Sequence, residues 1–413
     1  MEDEIPMRSA HSATRSSLKI LLAAGVTLAG SGGIAAASTR STSGQAFLLT
    51  LGKPRQVAST VPSNGDVNPY GVAVVPETVG KLVKGDTLVS NFNNKANVQG
   101  TGTTIMQVSP SGTVGTFANL GSLPTAKACP GGIGLTTALS ILPGGWVVVG
   151  SLPTSAGGAL PSENPAGCLI VLSSTGQVAE TWSNANINGP WDMTAVTTRS
   201  GADLFVSNAL SRLKGLNKTP PVGLCTVVRI DVSIASGHMP RMTSSTVIGS
   251  NFVWRANKTA LIQSPTGVAL AANGTLYVAE TVNSHITRIA NAITRTTAVK
   301  DGTSTLSSGG WLNGPLGLAL APNGDVIAMN GNDGNAVEIN PQGRQVAKVT
   351  LVAHGGGDLF GVAIQADGHG LLFVNDGTNA IDVASTRRIR LTSRVSGEPQ
   401  HEESASHARI LGE

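Results

Sequence analysis

Charged side chains are scarce in this sequence. Asp, Glu, Lys and Arg together make up 13% of its 413 residues, whereas Gly (51) and Pro (21) are abundant. A long amphipathic helix needs a polar or charged face, and this composition supplies little material for one. Many short strands joined by tight turns suit the composition better, so we expect an all-β fold.

The sequence also lacks a basic stripe. Its net charge of +4 is a small surplus among few charges, and its one arginine cluster, in residues 387–394, is followed closely by Glu398, Glu402 and Glu403. We therefore interpret residues 386–413 as a solvated polar tail. Nucleic acid is not an expected partner for such a chain.

Only one long apolar run occurs, in residues 20–37, and basic residues precede it. A basic segment, an apolar segment and small residues at its end are typical of an export signal. We expect residues 1–37 to be removed, leaving a secreted or periplasmic protein with no membrane span. A membrane anchor is the alternative, but four glycines interrupt the run and no second apolar span accompanies it.

The rest of the chain repeats one phrase, two short apolar strands joined by Asn-Gly or Asp-Gly. Three copies are clear and three are looser, which makes six units of roughly 40 to 60 residues each. Units of this size cannot bury their own faces and are typical of a propeller. The clear copies begin at Pro265, Pro315 and Phe360, and the looser ones at Pro69, Gly132 and Pro190.

These repeats predict that residues 38–385 form one domain, a six-bladed β-propeller with four strands in each blade. In the tight turn of each blade, both central residues should have a positive φ, as in an Asn-Gly hairpin. The sixth unit supplies only three clear strands, the last at residues 381–383. A strand within residues 45–61 should complete that blade and close the ring, which removes an exposed sheet edge.

The three cysteines, Cys129, Cys168 and Cys225, lack the spacing of a metal site. In an oxidising compartment, one of the three must stay outside any disulfide within the chain. Cys129 precedes the second unit and Cys168 opens its third strand, which places both on one face of that blade. We favour a Cys129–Cys168 disulfide, and the other two pairings stay open because connectivity follows poorly from sequence.

Loops at the face where the inner strands begin, which we call the top face, differ in length. They are long in the first three units, at residues 92–102, 152–167 and 209–223, and short in the last three. Long loops on one side of a rigid scaffold are typical of a binding face. Tolerated insertions in a secreted protein are the alternative.

The fourth unit, with Tyr-Val-Ala-Glu at 277–280 and Asn-Ser-His-Ile at 283–286, resembles the NHL repeat. Residues 45 to 385 resemble the wider group of six-bladed propellers that includes lactonases of the gluconolactonase and senescence-marker type and the virginiamycin B lyases. This resemblance implies the fold more than an activity, because one propeller hosts many functions.

The resemblance also implies where a reactive site would lie. Such lactonases hold a divalent cation with a Glu, two Asn and an Asp where inner strands begin, and the lyases use a histidine there. None of the residues at those places in this chain is a hard oxygen ligand or a histidine, so we expect no metal and no cofactor. These residues are Tyr70, Ile133, Trp191, Thr266, Leu316 and Phe360.

Three of these residues, Tyr70, Trp191 and Phe360, are aromatic and have two interpretations. They fill the axis of the ring as a packed plug, since inward positions of small rings are normally filled. Alternatively, they line a pocket for an apolar or sugar-like ligand. Both interpretations place them at the centre of the top face.

A polar residue ends the second strand of each unit. Its side chain either ties down the following loop through backbone N–H groups or converges with the others on a ligand. As ligand-binding residues of this set we consider Asn91, Asn208 and Asn330. The full set is Asn91, Ser151, Asn208, Glu280, Asn330 and Asp376.

Catalytic chemistry has thin support in the sequence. The candidates are Glu280 and Asp376 from the polar set, Asp192 at an inner strand, and His354, which we place at the channel mouth. His285 is expected to pack between strands.

We therefore expect a monomeric binding module that takes an unknown small molecule or protein at its top face. The first alternative is a hydrolase or lyase of the lactonase-like kind. The second is a purely structural envelope interaction module, which predicts no deep pocket and no metal.

Overall fold

The computed structural model describes residues 45–121, 123–124, 127–154, 166–209, 225–257 and 261–387. The expected signal segment and almost all of the expected polar tail lie outside these ranges. No helix in the described part of the chain has the length and apolar character that crossing a membrane requires.

Six antiparallel sheets form the six blades of a β-propeller, as the repeats predicted. Within each blade the strands follow one another from the axis outward. The first three blades are β2 (Val67–Val74), β3 (Thr87–Asn93), β4 (Thr104–Val108) and β5 (Val114–Asn119); β6 (Leu139–Leu142), β7 (Trp146–Ser151), β8 (Cys168–Leu172) and β9 (Val178–Trp182); and β10 (Pro190–Thr197), β11 (Gly201–Asn208), β12 (Cys225–Ser233) and β13 (Arg241–Phe252).

The second half of the ring repeats this arrangement, with small additions. A hairpin of β14 (Arg255–Asn257) and β15 (Leu261–Gln263) precedes blade four, and β19 (Val299–Lys300) pairs in parallel with β13 of blade three. The last three blades are β16 (Pro265–Leu270), β17 (Leu276–Glu280), β18 (His285–Ile289) and β20 (Thr305–Ser308); β21 (Pro315–Leu320), β22 (Val326–Asn330), β23 (Asn335–Ile339) and β24 (Gln345–Thr350); and β25 (Leu359–Ile364), β26 (Gly370–Asn375), β27 (Ala380–Ser385) and β1 (Arg55–Ser59).

The ring is closed by the N-terminal strand, as the sequence predicted. β1 pairs antiparallel with β27, with Arg55 opposite Val383 and Ser59 opposite Ala380. Because β1 is the outermost strand of blade six, this blade contains both the first and the last strand of the propeller. The first and last strands of the ring therefore hold each other in place.

A short helix, α1 (Phe47–Thr50), precedes β1 and packs against blades five and six. Its first N–H groups, from Phe47 and Leu48, donate to the two carboxylate oxygens of Glu338 at 2.8 and 2.7 Å. Asn323 Nδ2 donates a further hydrogen bond to Glu338 Oε1 at 2.8 Å. Glu338 is fully buried, so these donors replace the water that its carboxylate lost.

The tight turns differ from the predicted geometry. Gly274, Gly324 and Gly368 have a positive φ, but the Asn or Asp before each of them does not. That side chain instead accepts a hydrogen bond from the backbone two residues later, as Asn273 Oδ1 does from Thr275 N at 3.0 Å. An Asn or Asp can stabilise a turn in this way without leaving the right-handed region, so the expectation of two positive φ angles was wrong for these three turns.

Cys129 and Cys168 form a disulfide with Cα atoms 5.6 Å apart, the pairing that we favoured. Cys225 is buried at the start of β12, where its Sγ lies 3.0 Å from the carbonyl oxygen of Ala209. The disulfide joins the segment ahead of blade two to the third strand of that blade.

The inner strands approach one another very closely through glycine. A Cβ on Gly267, Gly317 or Gly361 would lie 2.2, 2.2 or 1.8 Å from a carbonyl oxygen of the neighbouring inner strand. Gly71 meets the carbonyl of Thr137 in the same way, at 2.5 Å. These contacts are too short for any side-chain carbon, so glycine is required there by packing rather than by φ.

The strand pairing in blade two corrects the residue that the sequence placed at the start of its inner strand. In blade two, Leu139 pairs with Val149 as Val72 pairs with Val89 in blade one. Thr137, and not Ile133, is therefore the counterpart of Tyr70. Ala138 takes the glycine position in this blade, and the Gly134 nearby misled the alignment of the repeats.

We predict that Gly361→Ala lowers the free energy of unfolding by at least about 3 kcal/mol, because its Cβ would meet the backbone of Tyr70. Gly115→Ala is the matched control, since Gly115 has open space around it and an ordinary φ. That control should change stability by less than about 0.5 kcal/mol. Urea denaturation measures both variants, and equal effects would contradict the packing argument.

Candidate functional site

An aromatic plug, made of Tyr70, Phe92, Trp191 and Phe360, fills the axis of the propeller. Trp191 Nε1 donates a hydrogen bond to the Tyr70 hydroxyl at 2.7 Å. The Tyr70 ring stacks on Phe360, with centroids 5.3 Å apart, and meets Trp191 edge to face. All four residues are buried, so the aromatic residues that the sequence placed around the axis form a packed group.

The plug separates two cavities. A cavity of about 410 Å³, which we call the lower cavity, is lined by the later residues of the inner strands. The top cavity, of about 340 Å³, is lined by the plug and by top-face loops. Tyr70 is the one residue that lines both of them.

The top cavity has an apolar floor and polar walls. The plug and Leu316 form the floor, and the walls are rich in side-chain amides. The ionisable groups among its described lining residues are Tyr70 and a single carboxyl, and these lining residues include no Lys, Arg or His. The wall residues with polar side chains are Asn68, Asn97, Gln99, Gln263, Thr281, Asn332 and Asp376.

Asp376 is the carboxyl of the top cavity. Burial, and then the charge of Asp358, raise its pKa to about 7. Its Oδ1 is buried and has no hydrogen-bond partner among the described residues. The Asp376 carboxyl therefore changes protonation near neutral pH and has a polar atom available for a ligand.

Asp376 does not belong to the polar set that ends the second strands, because it lies one residue beyond the end of β26. Leu359 pairs with Asn375 at the end of β26, as Pro265 pairs with Glu280 at the end of β17. Asn375 is thus the counterpart of Glu280, and Asp376 begins a 3-10 turn at residues 376–378.

Asn91, Asn208 and Asn330 do not line the top cavity, which corrects their assignment as ligand-binding residues. All three are fully buried, and their amides hold loop backbone. Asn91 Nδ2 donates to Thr60 O at 2.8 Å, Asn208 Nδ2 to Asn186 O at 2.9 Å, and Asn330 Nδ2 to Trp311 O at 2.7 Å. These three side chains therefore anchor loop backbone, but they do so through carbonyl groups of earlier segments and not through the N–H groups of the following loop, as the sequence had suggested.

The four catalytic candidates do not come together. Asp376 lines the top cavity and Asp192 the lower one, whereas Glu280 and His354 line neither. His354 is exposed, with a positive φ of 58°, and it is not among the residues that line the top cavity. Glu280 is fully buried beside His285 in blade four.

Asp192 occupies the place that glycine holds in four of the other inner strands. Its Oδ1 accepts a hydrogen bond from Met193 N at 2.8 Å, and its Oδ2 accepts one from Val268 N at 3.2 Å. The second bond links blade three to blade four. Burial raises the pKa of Asp192 to about 7 even though these N–H groups favour its charged form. Burial also raises the pKa of Tyr70 well above its usual value, and the charge of Asp192 adds to this effect.

Several wall residues were missed by the sequence analysis. Gln263 lies in the β14–β15 hairpin, which the repeat pattern did not include. Asn68 has a positive φ of 58° just before the plug residue Tyr70. Asn332 belongs to a short loop of blade five, although the long loops were expected to build the binding face. Much of the second and third long loops, at residues 155–165 and 210–224, lies outside the described residues.

No family model and no curated protein matches this chain at a significant level. Among solved structures, it is similar to a gluconolactonase from Xanthomonas campestris (14% identity, TM-score 0.49, covering 81% of this chain and 89% of that one). It is also similar to an inactive virginiamycin B lyase from Staphylococcus aureus with quinupristin (14%, 0.43, 81% and 99%). A third is a calcium-binding regucalcin from Agrobacterium tumefaciens (13%, 0.47, 80% and 95%).

The six-bladed propeller that the sequence predicted is confirmed by the strand order of this chain itself. The similar structures have TM-scores below 0.5 and identities of 13 and 14%, so they support no statement about its site. Calcium and quinupristin belong to those proteins.

We predict that Asp192 makes the protein less stable as the pH rises. A carboxyl whose pKa is about 7 in the folded state and 3.8 otherwise stabilises the fold below about pH 4, and this stability is lost as the pH rises through 7. Urea denaturation at pH 4 to 8 should show Asp192→Asn with a flatter profile, by up to about 4 kcal/mol. If the free energy of unfolding depends on pH in the same way in the variant and the native protein, the raised pKa of Asp192 is contradicted, even if their stabilities differ by a constant amount.

Proposed function

We propose that this propeller binds a neutral, hydroxyl-rich small molecule in the top cavity. The observation that carries the proposal is the composition of the cavity, an apolar floor with amide walls and one carboxyl. A few polar groups around an apolar surface are typical of small-molecule sites. The cavity also counts against the purely structural alternative, which predicts no deep pocket.

The amides favour hydroxyl groups as partners. An amide offers both a donor and an acceptor, as a hydroxyl does. Gln263 Oε1 already accepts from Arg255, and Asn332 Nδ2 donates to Asn313 Oδ1 at 3.1 Å, so Gln263 can offer its N–H groups and Asn332 its oxygen to such a group. The aromatic edges and Leu316 of the floor can meet the apolar face of a sugar-like ring. This pairing of surfaces supports the sugar-like alternative that the aromatic residues suggested in the sequence.

Electrostatics favour a neutral ligand. An anion in the top cavity would face Asp376, with Asp358 nearby, and no basic side chain among the described lining residues would offset the repulsion. A carboxylate or phosphate on the ligand would therefore weaken binding. A neutral ligand can instead use Asp376 as a hydrogen-bond partner.

Calorimetric titration of the purified protein with neutral disaccharides, cellobiose and maltose among them, tests the proposal. We predict that Asn332→Ala weakens binding about fivefold to tenfold, the effect of losing one neutral hydrogen bond. Gln56→Ala is the matched control, because Gln56 is an exposed amide on β1 outside the cavity. It should leave the affinity unchanged.

The charge of the ligand gives a second readout. Cellobionate differs from cellobiose by an oxidised, anionic end, and we expect it to bind at least tenfold more weakly at pH 8, where Asp376 is charged. No binding by any neutral sugar, or equal binding of the anion, would contradict the proposal.

Asp376 also favours a second candidate function, hydrolysis or elimination. A carboxyl with a pKa of about 7 in a cavity is suited to act as a general acid or base near neutral pH. Glucono-1,5-lactone, the substrate type of the similar gluconolactonase, is a direct probe in a pH-stat assay. Turnover that Asp376→Asn abolishes would support an enzyme, and sugar binding without turnover would support the binding module.

A further inference from the structure

We propose that Glu280, His285 and Asp301 form a site for a divalent transition-metal ion in blade four. This site is separate from the proposed sugar site, because none of the three residues lines either cavity. The ligand atoms that the three side chains offer all lie within 4.8 Å of one another. From the sequence we expected no metal and a packing role for His285.

The fold brings these side chains together from two blades. Glu280 ends β17 and His285 begins β18, and the two residues are paired in register. Asp301 comes directly after β19, which is held by blade three, and its N–H donates to Ser250 O at 2.8 Å. The backbone thus fixes all three residues independently of any ion.

The geometry at His285 resembles a ligand held by a supporting carboxylate. Its Nε2 lies 2.9 Å from Asp301 Oδ1, a hydrogen bond that leaves the lone pair of Nδ1 available when Nε2 carries the proton. Metal-binding histidines almost always donate their other N–H to such a partner. Asp301 Oδ1 also accepts a hydrogen bond from Thr287 Oγ1, which fixes the carboxylate.

The distance between His285 Nδ1 and Glu280 Oε2 is 3.7 Å. This is too long for a hydrogen bond. Two ligands that each lie about 2.1 Å from one ion are separated by roughly 3 to 4 Å, so the spacing fits a shared ion. Glu280 and His285 are then the direct ligands, and Asp301 orients the imidazole.

Among the described residues, only His285 is paired with the two carboxylates, and it can balance their charge only when it is protonated. Glu280 is fully buried, and its Oε1 has no hydrogen-bond partner among the described residues. In the described part of the chain, neither Glu280 nor Asp301 forms an ion pair with a lysine or arginine.

The donor set selects the type of ion. Calcium and magnesium prefer oxygen ligands throughout, whereas an imidazole with carboxylates suits zinc, cobalt or manganese. A bound proton is the alternative way to neutralise Glu280. A proton requires no metal, so a measurement of the metal content distinguishes the two explanations.

The test uses the full chain, dialysed against EDTA and titrated with Zn²⁺ and Co²⁺. We expect one equivalent of metal, a rise in melting temperature, and cobalt absorption bands of a nitrogen and oxygen site. Asp301→Asn should weaken Zn²⁺ affinity tenfold to a hundredfold, the usual effect of losing a supporting partner. Glu280→Gln should abolish the cobalt spectrum.

His354→Gln is the matched control, because His354 is an exposed histidine far along the chain from the cluster, and it should bind Zn²⁺ as the native protein does. Circular dichroism in EDTA establishes that each variant folds, and Asp301→Asn serves if Glu280→Gln does not. No stoichiometric metal, or equal binding by the native protein and a folded cluster variant, would overturn the proposal. Sugar binding is measured separately, so its failure leaves the metal result readable.

Discussion

Six inner strands must meet around one axis, and the space between them controls much of this structure. Where two strands approach most closely, a carbonyl oxygen lies against a glycine, as Tyr70 O lies against Gly361. Backbones at this distance leave room at the axis for only a few large side chains. Tyr70, Trp191 and Phe360 use that room and share one hydrogen bond and one ring stack. The floor of the top cavity is therefore a consequence of how the ring packs.

Position 192 departs from this pattern because it carries an aspartate where the other close contacts have a glycine. Asp192 brings a carboxylate to the place of a glycine, and its hydrogen bond to Val268 N replaces a close backbone contact between blades. On the other side of the plug, Asp376 is the carboxyl of the top cavity. The two acids are separated by packed rings, so the axis holds two chemically distinct chambers rather than one continuous channel.

The sequence allowed the ring to be predicted because the ring is encoded locally. Two strands and a turn recur, and the copies in blades one, four, five and six carry a Gly-Val-Ala or Asn-Gly signal of their own. Candidate site residues follow a different logic. Asp301 reaches His285 only through β19, a two-residue strand held by blade three. Gln263 reaches the top cavity from a hairpin inserted between repeats. Contacts of this kind depend on register and on neighbouring blades, which single repeats do not encode.

The closing strand links the two ends of the propeller in time as well as in space. β1 is made early in synthesis, yet among the described strands its one partner is β27, which ends the ring. Arg55 can therefore pair with its native neighbour, Val383, only after that residue has been synthesised. During that interval β1 is an unpaired edge that other strands can capture. Completion of the last blade is thus the event that turns a growing chain into a closed ring.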